Sequence, residues 1–145
     1  MDEVVKGWRA LRLVSRWQVR RLEPGAQAGD PVDAFNLALA LERLGRDGDA
    51  ERWYRWVAET GDVDGACNLG LLLARTGREN AALKHLGIAA KQGDSGAAYC
   101  AGEVCEDTDD IEGARYWYDM AARLGDQDAK TWLERNPPKT GLAAN

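Results

Sequence analysis

Along most of the chain the apolar positions recur at steps of three and four, as in Ala34, Leu37, Leu41 and Leu44, and again in Ala50, Trp53, Tyr54 and Val57. That is the period of one face of an α-helix, and strand alternation is absent. Short polar breaks divide the helical stretches at Leu44-Gly45-Arg46-Asp47-Gly48 and Thr76-Gly77-Arg78-Glu79-Asn80. A second kind of break, a Gly-Asp pair, stands at Gly29, Gly61, Gly93 and Gly125, each 32 residues from the last. Glycine takes the left-handed conformation that ends a helix, and Asp accepts from the orphan amides that begin the next. The pattern predicts about eight antiparallel helices joined by tight turns, with Gly45 and Gly77 as further C-terminal glycines.

The copies align well beyond their breaks. First halves read Ala34-Phe35-Asn36-Leu37-Ala38, Ala66-Cys67-Asn68-Leu69-Gly70 and Ala98-Tyr99-Cys100-Ala101-Gly102. Second halves read Ala50-Glu51-Arg52-Trp53-Tyr54, Ala82-Leu83-Lys84-His85-Leu86 and Ala114-Arg115-Tyr116-Trp117-Tyr118, followed by Val57-Ala58, Ala89-Ala90 and Ala121-Ala122. A unit of this size cannot bury its apolar face alone, so copies stack into an elongated array whose surface commonly binds something. With the small residues Gly65, Ala97 and Ala129 at the start of each following first helix, these runs resemble the Sel1-like repeats, relatives of the tetratricopeptide repeats, over roughly residues 29 to 133. The family's longer, Gly-rich inner loop is missing. The resemblance implies an all-α, right-handed α-solenoid of helix-turn-helix repeats, and a scaffold or adaptor that binds a peptide or protein partner.

Three segments are expected: an N-terminal capping helix within 1–28, repeats over 29–135 (three full units and a capping half-unit stopped by Pro137-Pro138), and a flexible tail over 136–145. The helix is expected over Glu3 to Leu22, ended by Pro24-Gly25, with Val4, Trp8, Leu11, Val14, Val19 and Leu22 on one face and Trp8 and Leu11 buried against the first repeat. Charge sets this segment apart, because residues 1–28 carry six basic and three acidic side chains and the remainder thirteen and twenty-one. A basic face of Arg9, Arg16, Trp17 and Arg20 is therefore an alternative site, for nucleic acid or an anionic surface.

Catalytic chemistry is sparse: one His, two Ser and three Cys with no local motif around them, so no enzyme activity, metal or cofactor is expected. His85 stands in the column of Trp53 and Trp117 and reads as a packed or half-exposed helix residue. Cys67, Cys100 and Cys105 read as structural thiols. Their odd number, the lack of an apolar span and the absence of a signal sequence point to the cytoplasm, and 14 Arg against 5 Lys points to a GC-rich bacterial source. In arrays of this kind the first helices line the concave side, so the candidate groove comprises Phe35, Asn36, Leu39, Arg43, Asn68, Leu71, Arg75 and Tyr99. Asn36 and Asn68 share a column and are weak helix formers, so they serve either a ligand's backbone or the stack itself. Arg43 and Arg75 repeat near one end, whereas Glu103, Asp107 and Asp110 make the other end acidic.

Overall fold

The computed structural model describes residues 2–138, for residues 2–6, 8 and 9 the backbone only. Eight helices and no strand occur among the described residues: α1 Asp2–Gln27, α2 Pro31–Arg43, α3 Asp47–Glu59, α4 Val63–Arg75, α5 Glu79–Lys91, α6 Ser95–Asp107, α7 Ile111–Arg123 and α8 Gln127–Arg135. Each packs on the next, which makes the molecule an all-helical repeat array, an α-solenoid. The units are α2–α3, α4–α5 and α6–α7, flanked by α1 in the place of a second helix and α8 in the place of a first.

The turn chemistry follows the sequence closely. Gly29, Gly61, Gly93 and Gly125 all have φ between 90° and 103°, and Gly45 and Gly77 have φ of 74° and 77°. Behind these glycines the chain closes back onto the finished helix, with the Arg46 amide donating to Leu41 O, Arg78 to Leu73 O, Asp94 to Ala89 O and Asp126 to Ala121 O. The third inner turn uses Asp109 at φ 58°, a residue that tolerates this region better than most. The Asp of each pair then caps: Asp62 accepts from the Gly65 amide at 2.7 Å, Asp94 from Ala97 at 2.9 Å and Asp126 from Ala129 at 2.8 Å. Asp94→Ala should cost about 1 kcal/mol, read as a shift of the urea midpoint at unchanged slope.

Small residues let the helices approach. A Cβ built on Gly65 would lie 2.7 Å from Val57 Cγ1, and one on Gly102 would lie 2.6 Å from the Tyr118 ring. Ala34, Ala50, Ala82, Ala97, Ala98, Ala101, Ala114, Ala121 and Ala129 are fully buried, so the alanine columns are the seams. The large core residues sit between them: Tyr54, Leu86 and Tyr118 occupy one column of the second helices, each buried against its own first helix.

Two expectations for the N-terminal segment fail. The helix does not stop at Pro24-Gly25 but runs to Gln27. Pro24 gives up one donor, yet its carbonyl accepts from Ala28 and that of Gly25 from Asp30, while Leu22 and Ala26 are buried and hold the last turn in place. A Cβ on Gly25 would meet the Asp33 carboxylate, which would have to turn aside. Leu11 is not buried: it is 61 % exposed, as are Leu13, Val14 and Trp17 to similar degrees. The reason is length. α1 has 26 residues, about 39 Å at 1.5 Å each, whereas α2 has 13. Arg16, Val19 and Arg20 lie beside Leu44 and Arg46 at the end of α2, and among the described side chains Ser15 is the last buried one in that direction, so Leu11, Leu13 and Val14 find no cover on the first repeat. Trp8 and Arg9 fall outside the described side chains, and residues 139–145 of the expected tail outside the described range.

Candidate binding surface

The stripe of first-helix residues that steps by four along each unit is Phe35, Leu39, Arg43 on α2, Cys67, Leu71, Arg75 on α4 and Tyr99, Glu103, Asp107 on α6. In every copy it grades from covered at the start of the helix to exposed at its end. Phe35 rests edge-on against Tyr54, centroids 5.9 Å apart, and Tyr99 tilts against Tyr118 at 5.2 Å, so both aromatics are fixed by the core beneath them. Leu39 and Leu71 are half-buried against the same core. The stripe is therefore a preformed, shallow apolar track with charged ends.

The polar candidates on and beside the stripe divide. Asn36 is exposed, but Asn68 spends its amide on its own helix, donating to Asp64 O at 2.8 Å, and so does not tie the stack together. Arg43 is exposed, whereas Arg75 reaches across the junction to Glu42 at 3.0 Å and Asp47 at 3.2 Å. Glu42 also accepts from the Tyr54 hydroxyl at 2.8 Å. The basic end is thus partly neutralised. The acidic end is not: burial, and then the neighbouring Glu103, Asp128, Asp126 and Glu106, hold the Tyr99 hydroxyl above the ordinary range. Burial, with Asp107 and Glu106 nearby, likewise lifts the Glu103 carboxyl. A cation brought to this end would relieve the mutual repulsion.

Sequence reasoning missed the chemistry inside the stripe. Cys67 and Cys100 are joined by a disulfide, with Cα atoms 5.7 Å apart, and are not the structural thiols expected. Cys67 holds the column of Phe35 and Tyr99, and Cys100 the column of Asn36 and Asn68. The bond therefore lies in the candidate groove and links α4 to α6, first helices that pack directly on each other. The available signal was the spacing of 33, one residue more than the repeat, which sets two cysteines on neighbouring first helices at adjacent positions. Cys105 alone stays free; burial and then Asp110 push its thiol up to about 11, so it is a poor nucleophile. The odd cysteine count no longer speaks for a cytoplasmic setting, since disulfides persist where thiols are kept oxidised.

Each junction has its own fastening. Between the first two units Glu51 is gripped by Arg78, at 2.7 and 3.1 Å, and by Arg55 at 2.7 Å, and these guanidinium groups hold its carboxyl below the usual range. Between the second and third stands the disulfide. At the C-terminal end Glu106 accepts from Tyr118 at 2.6 Å and from the Trp132 indole at 2.7 Å, which pins α8.

The alternative basic face is open: Arg16, Trp17 and Arg20 are exposed, and the Arg21 guanidinium lies 5.3 Å from the centre of the Trp17 ring. His85 is exposed on α5 and lines a cavity of about 530 Å³ between α3 and α5, on the side of the second helices. Among the described residues no cluster of three metal-ligating side chains occurs, and no helix is long and apolar enough to cross a membrane.

Fold and turn chemistry together define an α-solenoid of helix-turn-helix repeats. The solved Sel1 repeat protein from Oxalobacter formigenes has the same fold: it superposes with a TM-score of 0.58 at 23% sequence identity over 93% of this chain. The chain spans 65% of that protein's length. No family model and no curated protein matches the sequence.

Proposed function

We propose that the protein is an interaction scaffold that binds an extended peptide segment of a protein partner along the first-helix stripe. The observation that carries the reading is the stripe itself: Phe35 and Tyr99 locked by the core, Leu39 and Leu71 between them, and opposite charge at its two ends. Rigid aromatic and apolar area costs little entropy to present, and such residues supply most interface energy. The partner segment carries acidic residues toward Arg43 and Arg75 and basic residues toward Glu103 and Asp107. The repeat fold, used widely for protein contacts, agrees with this at the level of architecture. A bacterial, non-enzymatic adaptor is the role that fits.

The test is selection of random displayed peptides on the full chain, followed by three charge reversals, each checked for folding: Arg43→Glu with Arg75→Glu, Glu103→Lys with Asp107→Lys, and Arg16→Glu with Arg20→Glu. The first two pairs are expected to weaken the selected peptides by tenfold or more, about 1.4 kcal/mol, and the third to leave them unchanged. Loss confined to the Arg16 and Arg20 pair moves the site to α1 and removes the groove assignment. Binding to the acidic end should also fade as pH falls through the raised range of Glu103, where the carboxylate takes up a proton.

A further inference from the structure

The seam between successive second helices is filled differently at different junctions. Between α5 and α7 the Trp117 indole lies over Gly87, so close that a Cβ there would sit 3.0 Å from the ring. One repeat earlier the residue in the Trp117 column is His85, and the residue in the Gly87 column is Arg55. Both line the 530 Å³ cavity between α3 and α5. Its floor is apolar, from Val63, Ala66 and Leu69, and Ile88, 53 % exposed, forms part of its wall. The cavity is the place an indole occupies in the next repeat, left open where His85 replaces the tryptophan and Arg55 the glycine. Its rim carries Glu59, Asp62 and Asp94, while the charge of Arg55 is spent on Glu51 at 2.7 Å.

The same chain displays an indole without a seat. Trp17 is 61 % exposed on the part of α1 next to the uncovered turns, beside exposed Leu13 and Val14 and flanked by Arg16, Arg20 and Arg21. An acidic rim around an aromatic-sized apolar seat matches a basic helix bearing an aromatic knob. We propose that Trp17 of a second copy of this chain enters the cavity between α3 and α5, with the arginines of its α1 against Glu59, Asp62 and Asp94. The contact joins two different surfaces, so each molecule offers one knob and one seat and the copies add head to side. It uses the second-helix side and leaves the first-helix stripe uncovered, so it stands or falls independently of the peptide reading.

Sedimentation velocity of the full chain tests it, from about 1 μM to about 200 μM, at low and high salt. The wild type is expected to sediment faster as concentration rises and to lose this behaviour in high salt. Trp17→Ala removes the knob, and His85→Trp fills the seat from within; each is expected to remain monomeric over the same range. Ile88→Glu, a change at an exposed site, is a second seat variant should the tryptophan disturb packing. Mixing Trp17→Ala with His85→Trp supplies one good seat and one good knob, and is expected to restore a one-to-one complex and nothing larger. A wild type that stays monomeric throughout overturns the proposal, as does association that survives in either variant or a mixture that fails to pair. A monomeric wild type whose cavity binds N-acetyltryptophanamide would also overturn it and give the seat to an aromatic residue of another protein.

Discussion

Reduction of the Cys67–Cys100 disulfide is expected to lower the unfolding free energy by about 3 to 4 kcal/mol, the chain-entropy value for closing a loop of this length. The crosslinked residues are 33 apart in sequence, so the bond removes much of the freedom that one whole repeat has in the unfolded chain. It also fastens α4 to α6, first helices that pack directly on each other, so the middle of the candidate groove loosens with it. Urea melts of the wild type with and without reductant, beside Cys67→Ala with Cys100→Ala, measure the effect. The reduced wild type and the double variant should share a midpoint well below that of the oxidised chain. Equal midpoints in all three would show that the two thiols are not joined in the folded protein.

Tyr118→Ala should destabilise the array by about 3 to 5 kcal/mol, the range for deleting a fully buried aromatic. Its ring fills the space that Gly102 leaves open, tilts against Tyr99, and stacks near Trp132 at 4.5 Å between centroids. Its hydroxyl donates to Glu106, which also holds the Trp132 indole. The substitution therefore empties the third seam and weakens the grip on α8 at once. Tyr118→Phe keeps the ring and loses only the charged hydrogen bond, at a cost of about 1.5 to 3 kcal/mol. Denaturant melts should rank the wild type above Tyr118→Phe and that above Tyr118→Ala. If the two variants melted together, the hydroxyl and not the ring would be the main contribution, contrary to the packing described.

The elements could be read in the sequence because their signals are local. A left-handed glycine and an N-capping Asp each act within a few residues, and the 32-residue period repeats the statement until the helices are unambiguous. The alanine columns marked the seams for the same reason: close approach needs a small residue wherever it recurs. What escaped depends on residues brought together by stacking. Cys67 and Cys100 meet only when α4 lies on α6, and Arg75 meets Glu42 and Asp47 only across a junction. Pro24 misled because the rule for proline concerns an isolated helix, whereas burial of Leu22 and Ala26 carries α1 through it. Leu11 misled because an amphipathic pattern tells which face is apolar and not whether a neighbour is long enough to cover it. The candidate stripe was legible as a set of columns, but the loss of Asn68 to its own helix and the partial neutralisation of Arg75 arise only in the folded array.

On the proposed reading a partner segment lies along the first-helix stripe. Amide chemical-shift mapping of the oxidised chain, titrated with a peptide taken from the display selection, tests it most directly. The largest perturbations are expected along Phe35, Leu39, Leu71 and Tyr99, extending to Glu103 at the acidic end. Perturbations confined to the Arg16 and Arg20 face of α1, or to the cavity between α3 and α5, would contradict it.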